Sequence, residues 1–125
     1  MSGGAWEYVA AYVNNGNSSL NNGSSLVNGD AKTKNVYTKA STDSYENNYQ
    51  QNKGVYGDAV YETSTSGSGA TSWYGDYSYF PGTGDPFFGR GGGCSNGSGA
   101  GVFYFSRGNG GSDSVISFRP VLVAN

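Results

Sequence analysis

Hydrophobic residues of this chain fall into a few short runs separated by long polar stretches. The runs are rich in aromatic and β-branched residues and are bounded by glycines, a pattern typical of strands. They cover residues 6–13, 86–90, 101–107 and 114–123. The pattern therefore predicts a β-rich chain whose clearest strands lie at its two ends.

The last two runs are joined by a Gly-Asn-Gly-Gly segment at 108–111. Such a short turn between apolar runs predicts an antiparallel hairpin. Strand alternation in the run before this turn would place Phe103 and Phe105 in the core and Tyr104 on the outer face, because burying both phenylalanine rings removes more apolar surface from water. Pro120 cannot donate to a ladder, so the final strand is expected to be bulged or at an edge there.

The middle of the chain carries weaker local signals. Tyr45 and Tyr49 lie four residues apart in a polar stretch, which predicts a short surface helix over 43–53. Asp43 would cap this helix and Gly54 would end it. The other predictions here are an extended piece at 58–62 and loops at 14–30 and 63–71.

The composition suggests a sparse core built from aromatic rings. Gly, Ser, Asn and Tyr make up more than half of the chain, and Leu, Ile, Val and Phe together only about one residue in six. Disorder would also require a high net charge and few aromatics, whereas the chain has a formal charge of −2 and is 15% aromatic. We therefore expect a folded chain of marginal stability.

Charge and residue counts exclude several classes of function. Seven Lys and Arg against nine Asp and Glu leave no basic surface for nucleic acid. No apolar run is long enough for a membrane span, and no leader-like segment opens the chain. The chain has no histidine and a single cysteine, Cys94, which removes histidine-based triads, histidine-ligated metals and cysteine cages.

Three segments, in order along the chain, resemble motifs of one family. Residues 1–8 (MSGGAWEY) resemble the DMSGNVWEW segment of the formylglycine-generating-enzyme, or sulfatase-modifying-factor, branch of the C-type-lectin-like fold. Residues 90–93 (RGGG) resemble its RGGSW motif, and residues 117–121 (SFRPV) resemble its terminal GFRVV. The resemblance implies an α+β, β-rich, C-type-lectin-like fold with long irregular loops and an antiparallel C-terminal sheet.

The position of the first motif has a further implication. In that family the Trp-Glu motif lies in the middle of the domain, so residues 1–125 resemble the C-terminal part of one lectin-like domain. An upstream segment or a second chain would then complete the fold. The scarcity of aliphatic residues agrees with this expectation.

The resemblance does not extend to the chemistry of the family. The formylglycine-generating enzymes bind copper through two cysteines after the RGG motif, and the matching positions here are Asn96 and Gly101. Cys94 fits neither position and is expected to be a small, half-buried hydrophobe. Related iron-dependent enzymes need histidines that this chain lacks, so we expect no catalysis.

The resemblance also implies a ligand surface between the RGG and FR motifs, as in variable lectin-like proteins diversified by retroelements. Tyr, Ser, Gly and Asn dominate this interval and are typical of adaptable recognition surfaces, although an ordinary loop region has the same composition. The predicted contacts are Asn96, Tyr104, Arg107 and Asn109. Trp73, Tyr74 and Tyr77 are predicted to flank them as a group of aromatic contacts. The alternative for Trp73 is packing into the core, which so sparse a core favours.

A calcium site is a further implication of the resemblance. Family members can hold Ca²⁺ through the Trp-Glu segment, which implies Gly3, Ala5 and Glu7 as ligands here, with another ligand preceding the first residue. Calcium takes about six to eight oxygens, so an incomplete set would bind weakly, and no other cofactor is expected. Arg119 is expected to hold neighbouring backbone or to pair with Glu7, and Arg90 to support the scaffold.

These features predict a non-catalytic module that binds a protein or glycan ligand on a bacterial surface or a phage particle. The alternative is a structural subunit or an adhesive tip domain of a pilus-like filament or tail fibre, which weakly charged, Gly- and Tyr-rich strands also suit. Both functions place the chain outside the cell, at the cell surface or on the virion. A pilin-type helix or a fibre repeat upstream would favour assembly, and a retroelement template copy beside the coding region would favour diversified binding.

Overall fold

The computed structural model describes residues 4–118, which form a mixed α+β structure around one sheet of short strands. The strands are β1 (Trp6–Asn14), β2 (Asn35–Thr38), β3 (Ser68–Gly69), β4 (Ser78–Tyr79), β5 (Phe87–Arg90), β6 (Phe105–Gly108) and β7 (Ile116–Ser117). The α-helices are α1 (Ser24–Val27), α2 (Tyr45–Gln51) and α3 (Val60–Thr63). Short 3₁₀ segments cover Ser18–Gly23, Ala31–Thr33, Trp73–Gly75 and Cys94–Gly99.

The sheet is mixed, and β1 is its organising strand. Across the sheet the order is β2-β1-β5-β6-β4-β3, with β7 also paired to β1. β1 runs antiparallel to β5 and parallel to both β2 and β7. β6 runs antiparallel to β5 and parallel to β4. The strands predicted at 6–13 and 86–90 are thereby confirmed, and the structure shows that they pair with each other.

Aromatic rings form most of the core, as the composition predicts. Phe80 is completely buried and meets Phe88 edge-to-face, with the ring centroids 5.2 Å apart. Tyr37 contacts these two rings at 5.4 and 5.2 Å, and Tyr49 meets Phe80 at 5.7 Å. We call Tyr37, Tyr49, Phe80 and Phe88 the Phe80 cluster. Edge-to-face pairs stabilise beyond the burial of area alone, so a few rings offset the scarcity of aliphatic side chains.

The helix predicted over 43–53 is confirmed as α2, with a different cap. The hydroxyl of Ser44 accepts a hydrogen bond from the Asn47 amide at 3.2 Å, so Ser44 rather than Asp43 caps the helix. Asp43 instead accepts from the side-chain amide of the buried Asn48 at 2.6 Å. The oxygen of that amide accepts from the Ala40 backbone at 2.8 Å. Buried amides therefore satisfy the polar groups that the loops bring to the core.

The predicted hairpin between the last two strands is wrong. β7 pairs in parallel with β1, where Trp6 lies opposite Ile116, and β6 lies between β5 and β4. The Trp6 amide donates to the Val115 carbonyl at 2.8 Å. β7 therefore pairs with the long strand β1, and the segment 108–111 does not fold it back onto β6.

The predicted exposure of Tyr104 is also wrong, because its side chain is only 2% exposed. Its amide donates to the Gly101 carbonyl at 3.2 Å, which closes a turn, so strand alternation begins only at Phe105. Phe105 is buried as predicted, whereas Phe103 is only partly buried. A Cβ on Gly92 would lie 3.3 Å from the Tyr104 ring, so the glycines of the RGG segment pack closely against it.

The remaining differences concern short segments. The stretch 58–62 is not extended, because the chain enters α3 at Val60 after Ala59 adopts a left-handed φ of 61°. The loop at 14–30 contains short helical turns. Arg119 and Pro120 lie outside the described residues, and so do the pairing and the bulge predicted for them.

Candidate functional site

A loop between β3 and β4 presents aromatic side chains at the surface. Its 3₁₀ turn contains Tyr74 with a φ of 61°, a left-handed conformation that is uncommon for residues other than glycine. Gly75 follows with a φ of 78°. In this loop Trp73 is 55% exposed and Tyr74 is 91% exposed. The backbone therefore holds two large rings in solvent.

A second loop, just before β6, supplies another ring. Phe103 stacks on Tyr74 with the centroids 5.8 Å apart and the planes 18° apart. It also meets Trp73 edge-to-face at 5.2 Å. The neighbouring Val102 is 69% exposed. We call Trp73, Tyr74, Val102 and Phe103 the aromatic platform.

The buried Asp76 fixes the two loops together beneath this surface. Its carboxylate accepts from the Phe103 amide at 2.8 Å. Gly101 makes this approach possible, since a Cβ there would lie 2.1 Å from a carboxylate oxygen. The Tyr77 amide donates to the Gly99 carbonyl at 2.8 Å. The platform is thus anchored by hydrogen bonds to backbone on both sides.

The two loops that carry the platform hold few charged residues, although Lys53 and Glu62 line a hollow together with Trp73. A depression of about 300 Å³ lies beside the rings, bordered by Tyr74, Asp76, Ala100, Gly101, Val102 and Phe103. Residues 63–83 and 91–104 contain no lysine or arginine. The exposed rings therefore suit a ligand that offers an apolar or aromatic face.

The structure brings together only part of the predicted site. Trp73 and Tyr74 lie side by side on the platform, and the extensive exposure of Trp73 rules out the alternative that its ring is buried in the core. Tyr77 is 40% exposed, but its ring stacks on Tyr79 at 6.3 Å. Phe103, which strand alternation predicts in the core, instead packs against Trp73 and Tyr74. The glycines that flank it on the N-terminal side indicate a turn rather than a strand, and that signal could have placed it at the surface.

Asn96 is committed to the scaffold. Its side-chain oxygen accepts from the Trp6 indole nitrogen and from the Gly93 amide, both at 2.8 Å. The glycine segment after Arg90 is thereby tied to the start of β1. A ligand would have to compete with these bonds to engage the Asn96 oxygen.

Arg107 and Asn109 make their contacts with residues outside the platform. The Arg107 guanidinium lies between two rings, 3.9 Å from the Tyr45 centroid and 4.1 Å from the Tyr79 centroid. It also pairs with Asp85 at 3.6 Å. Asn109 is exposed, and its side-chain oxygen accepts from the Gly111 amide at 2.8 Å. Arg107 therefore stabilises packing, and Asn109 shapes its own turn.

The predicted environment of Cys94 is corrected, and the calcium prediction stays a prediction. Cys94 is exposed rather than half-buried, because it opens a 3₁₀ turn at the surface. Gly3 lies outside the described residues, Ala5 is partly buried and Glu7 is buried. Residues 4–118 hold no group of three or more Cys, Asp or Glu side chains arranged to surround a metal ion.

Comparisons with protein-family models, with curated proteins and with solved structures find no significant match to this chain. Within the part of the chain that the structure describes, no helix has the length and apolar character needed to cross a membrane.

Proposed function

We propose that the chain is a non-catalytic recognition module that binds a protein or glycan ligand on the aromatic platform. The observation that carries this proposal is the exposure of contacting rings: Tyr74 is 91% exposed although it stacks on Phe103. Tryptophan and tyrosine dominate binding hot spots because each removes a large, rigid surface from water at a low cost in conformational entropy. Exposed apolar patches of this kind mark binding sites.

The backbone at the platform supports the same proposal. A left-handed residue other than glycine is strained, and such strain persists where the surrounding structure enforces it, often at ligand sites. Tyr74 is held in this conformation between loops that Asp76 joins. The platform would therefore present its rings in a fixed arrangement before a ligand arrives, which lowers the entropic cost of binding.

We further propose that the fold is the C-terminal part of a C-type-lectin-like domain of the formylglycine-generating-enzyme branch. At least one described residue from each of the three segments that resemble the family motifs takes part in the pairing of β1. Glu7 lies opposite Arg90 on one side and opposite Ser117 on the other. Gly4 forms an isolated bridge with Gly93. Display on a bacterial surface or a phage particle follows from the same resemblance.

The test uses immobilised neutral and anionic oligosaccharides together with a displayed random peptide library. We expect saturable binders among the neutral sugars or the peptides rich in apolar side chains. The double change Trp73→Ala and Tyr74→Ala should weaken them at least about tenfold, since truncating a hot-spot residue costs about 2 kcal/mol or more. Val36→Ala is the control, because Val36 is 48% exposed but lies on β2, at the opposite edge of the strand order.

Two outcomes would contradict the proposal. One is a set of binders whose affinity does not change in the double variant. The other is concentration-dependent self-association that the double variant removes, measured by analytical ultracentrifugation. The second outcome would favour the alternative function, a structural subunit or adhesive tip domain of a filament or tail fibre, in which the platform joins copies of the chain.

A further inference from the structure

A groove of about 460 Å³ lies beside the middle of β1, away from the platform residues. β1 is out of register with β5 here, because Tyr8 lies opposite Gly89 but Tyr12 lies opposite Phe87. On the other side of β1, β7 pairs with the beginning of the strand and β2 with its end. Within residues 4–118, the strand segment around Val9 thus lies between these neighbours and lines the groove.

The residues that line the groove include an apolar set, which we call the floor, and a cationic set, which we call the wall. Val9, Ala11, Val60 and Phe88 line the floor. Lys32, Lys34 and Arg90 line the wall, and these are three of the seven lysines and arginines in an otherwise acidic chain. This combination suits a ligand that carries a negative charge at one end and hydrocarbon at the other.

Asp58 is the acidic residue among the groove-lining side chains, and its carboxylate already has partners. It accepts hydrogen bonds from the Asn35 side-chain amide and from the Tyr37 hydroxyl. The Lys34 ammonium donates to the Leu26 and Val27 carbonyls at 3.0 and 2.5 Å. These bonds hold the wall in place, and among residues 4–118 neither Lys32 nor Arg90 forms a contact salt bridge.

Arg90 retains unused donors. Its guanidinium donates to the Asp58 backbone carbonyl, and this is its single hydrogen bond within the described part of the chain. A guanidinium carries five N–H donors in a fork that matches a carboxylate. Burial lowers the pKa of Arg90, and the negative charge of Asp58 partly opposes that shift. The cation is therefore partly desolvated and has donors left for an anion.

We propose that this groove binds a small organic carboxylate with a short unbranched hydrocarbon chain. The carboxylate pairs with Arg90, and the chain lies along Val9, Ala11, Val60 and Phe88. Lys32, which is exposed at the rim, adds long-range attraction. The groove volume lies in the range of small-molecule sites.

The first experiment titrates the protein with acetate, butyrate and hexanoate, followed by amide chemical shifts. Affinity should rise about fourfold for each added methylene, as expected for transfer of hydrocarbon out of water. Hexanamide has the same chain without the charge and should bind at least about tenfold more weakly than hexanoate. No saturable shift with hexanoate would overturn the proposal, and so would equal binding of hexanamide or tighter binding of inorganic phosphate.

The second experiment changes the wall. Arg90→Gln should weaken hexanoate binding by about 10- to 100-fold, since hydrogen bonds to charged groups are the strong ones. Because this variant could fail to fold, Lys32→Gln is tested beside it and should weaken binding about two- to fivefold. Lys39→Gln is its control, an exposed lysine that does not line the groove. Equal affinity in the Lys32 and Lys39 variants would overturn the proposal even if the Arg90 variant were lost.

Discussion

Two clusters of aromatic rings in this molecule have similar internal geometry and opposite exposure. Ring centroids lie 5.2 to 5.7 Å apart in the Phe80 cluster and 5.2 and 5.8 Å apart in the aromatic platform. Phe80 is completely buried, whereas Tyr74 is almost completely exposed. The contact between rings therefore does not determine their role, which depends on the area that the fold removes from water.

The difference comes from the backbone that carries each cluster. The rings of the Phe80 cluster come from β2, α2, the segment before β5 and β5 itself, so several elements enclose them. The rings of the platform come from two loops that are joined through Asp76. The Phe80 cluster is buried because several elements surround its rings. The platform stays exposed because its rings come from two loops, and a ligand can therefore cover it.

The largest expected effect comes from removing one ring from each cluster. Phe80→Ala should lower the free energy of unfolding by about 3–5 kcal/mol, because it leaves a cavity among packed rings. Phe103→Ala should cost less than about 1.5 kcal/mol, since the ring is partly in solvent and its neighbours can relax. Urea denaturation measures both. Equal losses in the two variants would mean that the platform is part of the core.

Alkaline pH should ionise the buried tyrosines last, and together with unfolding. Burial raises the pKa of Tyr37 and Tyr61 well above the usual value of 10.0, and the hydrogen bond to Asp58 raises the pKa of Tyr37 further. A raised pKa in the folded state means that the folded chain holds these protons more tightly than the unfolded chain. The resulting stability is complete below pH 10 and is lost as the pH rises above it.

This prediction is checked by following phenolate absorbance and unfolding in the same titration. A fraction of the tyrosines should ionise late and together with loss of structure. Tyr37→Phe should reduce the steepness of alkaline unfolding, whereas Tyr74→Phe should leave it unchanged. Ionisation of all tyrosines around pH 10 in a chain that stays folded would contradict the burial of these side chains.

How far the sequence predicts this structure differs between the two clusters. Composition correctly predicts a core of rings, and the aromatic, β-branched pattern correctly locates β1, because local patterns report local preference. The pairing of β7 with β1 joins residues that are far apart in the sequence. The glycine turn at 108–111 carries no information about this pairing. The specific lectin-like fold and the incomplete domain stay predictions.

The candidate site shows the same limit. Trp73 and Tyr74 could be chosen from the sequence as unusually apolar residues in a glycine-rich loop, but their contact with Phe103 could not. That contact depends on Gly101, whose missing Cβ lets the Asp76 carboxylate reach the Phe103 amide. The predicted exposure of Tyr104 is wrong because the chain makes a turn before Phe105 and not a strand.

Removing the Asp76 carboxylate, which joins the two platform loops, should have an intermediate effect on stability. Asp76→Ala deletes the acceptor for the Phe103 amide and should cost about 1–3 kcal/mol of stability. It should also alter the fluorescence of Trp73, because the ring loses its fixed contact with Phe103. Asp76→Asn keeps a side-chain acceptor of the same shape and serves as the matched control. A loss in the alanine variant no larger than in the asparagine variant would show that the bond does not hold the loops together.

The smallest expected effect is the change in stability on replacing Tyr74 by glycine. The same variant also tests whether Tyr74 is needed for ligand binding. Tyr74 has a left-handed φ of 61°, which costs about 1–2 kcal/mol for a residue with a Cβ. Tyr74→Gly relieves this strain, although glycine loses more chain entropy on folding, so the variant should be up to about 1 kcal/mol more stable. Tyr77→Gly is the control, since Tyr77 has no positive φ and its replacement should destabilise. If Tyr74→Gly is more stable and binds platform ligands more weakly, the strained backbone serves to display the Tyr74 ring. A loss of stability would mean instead that the Tyr74 ring stabilises the fold.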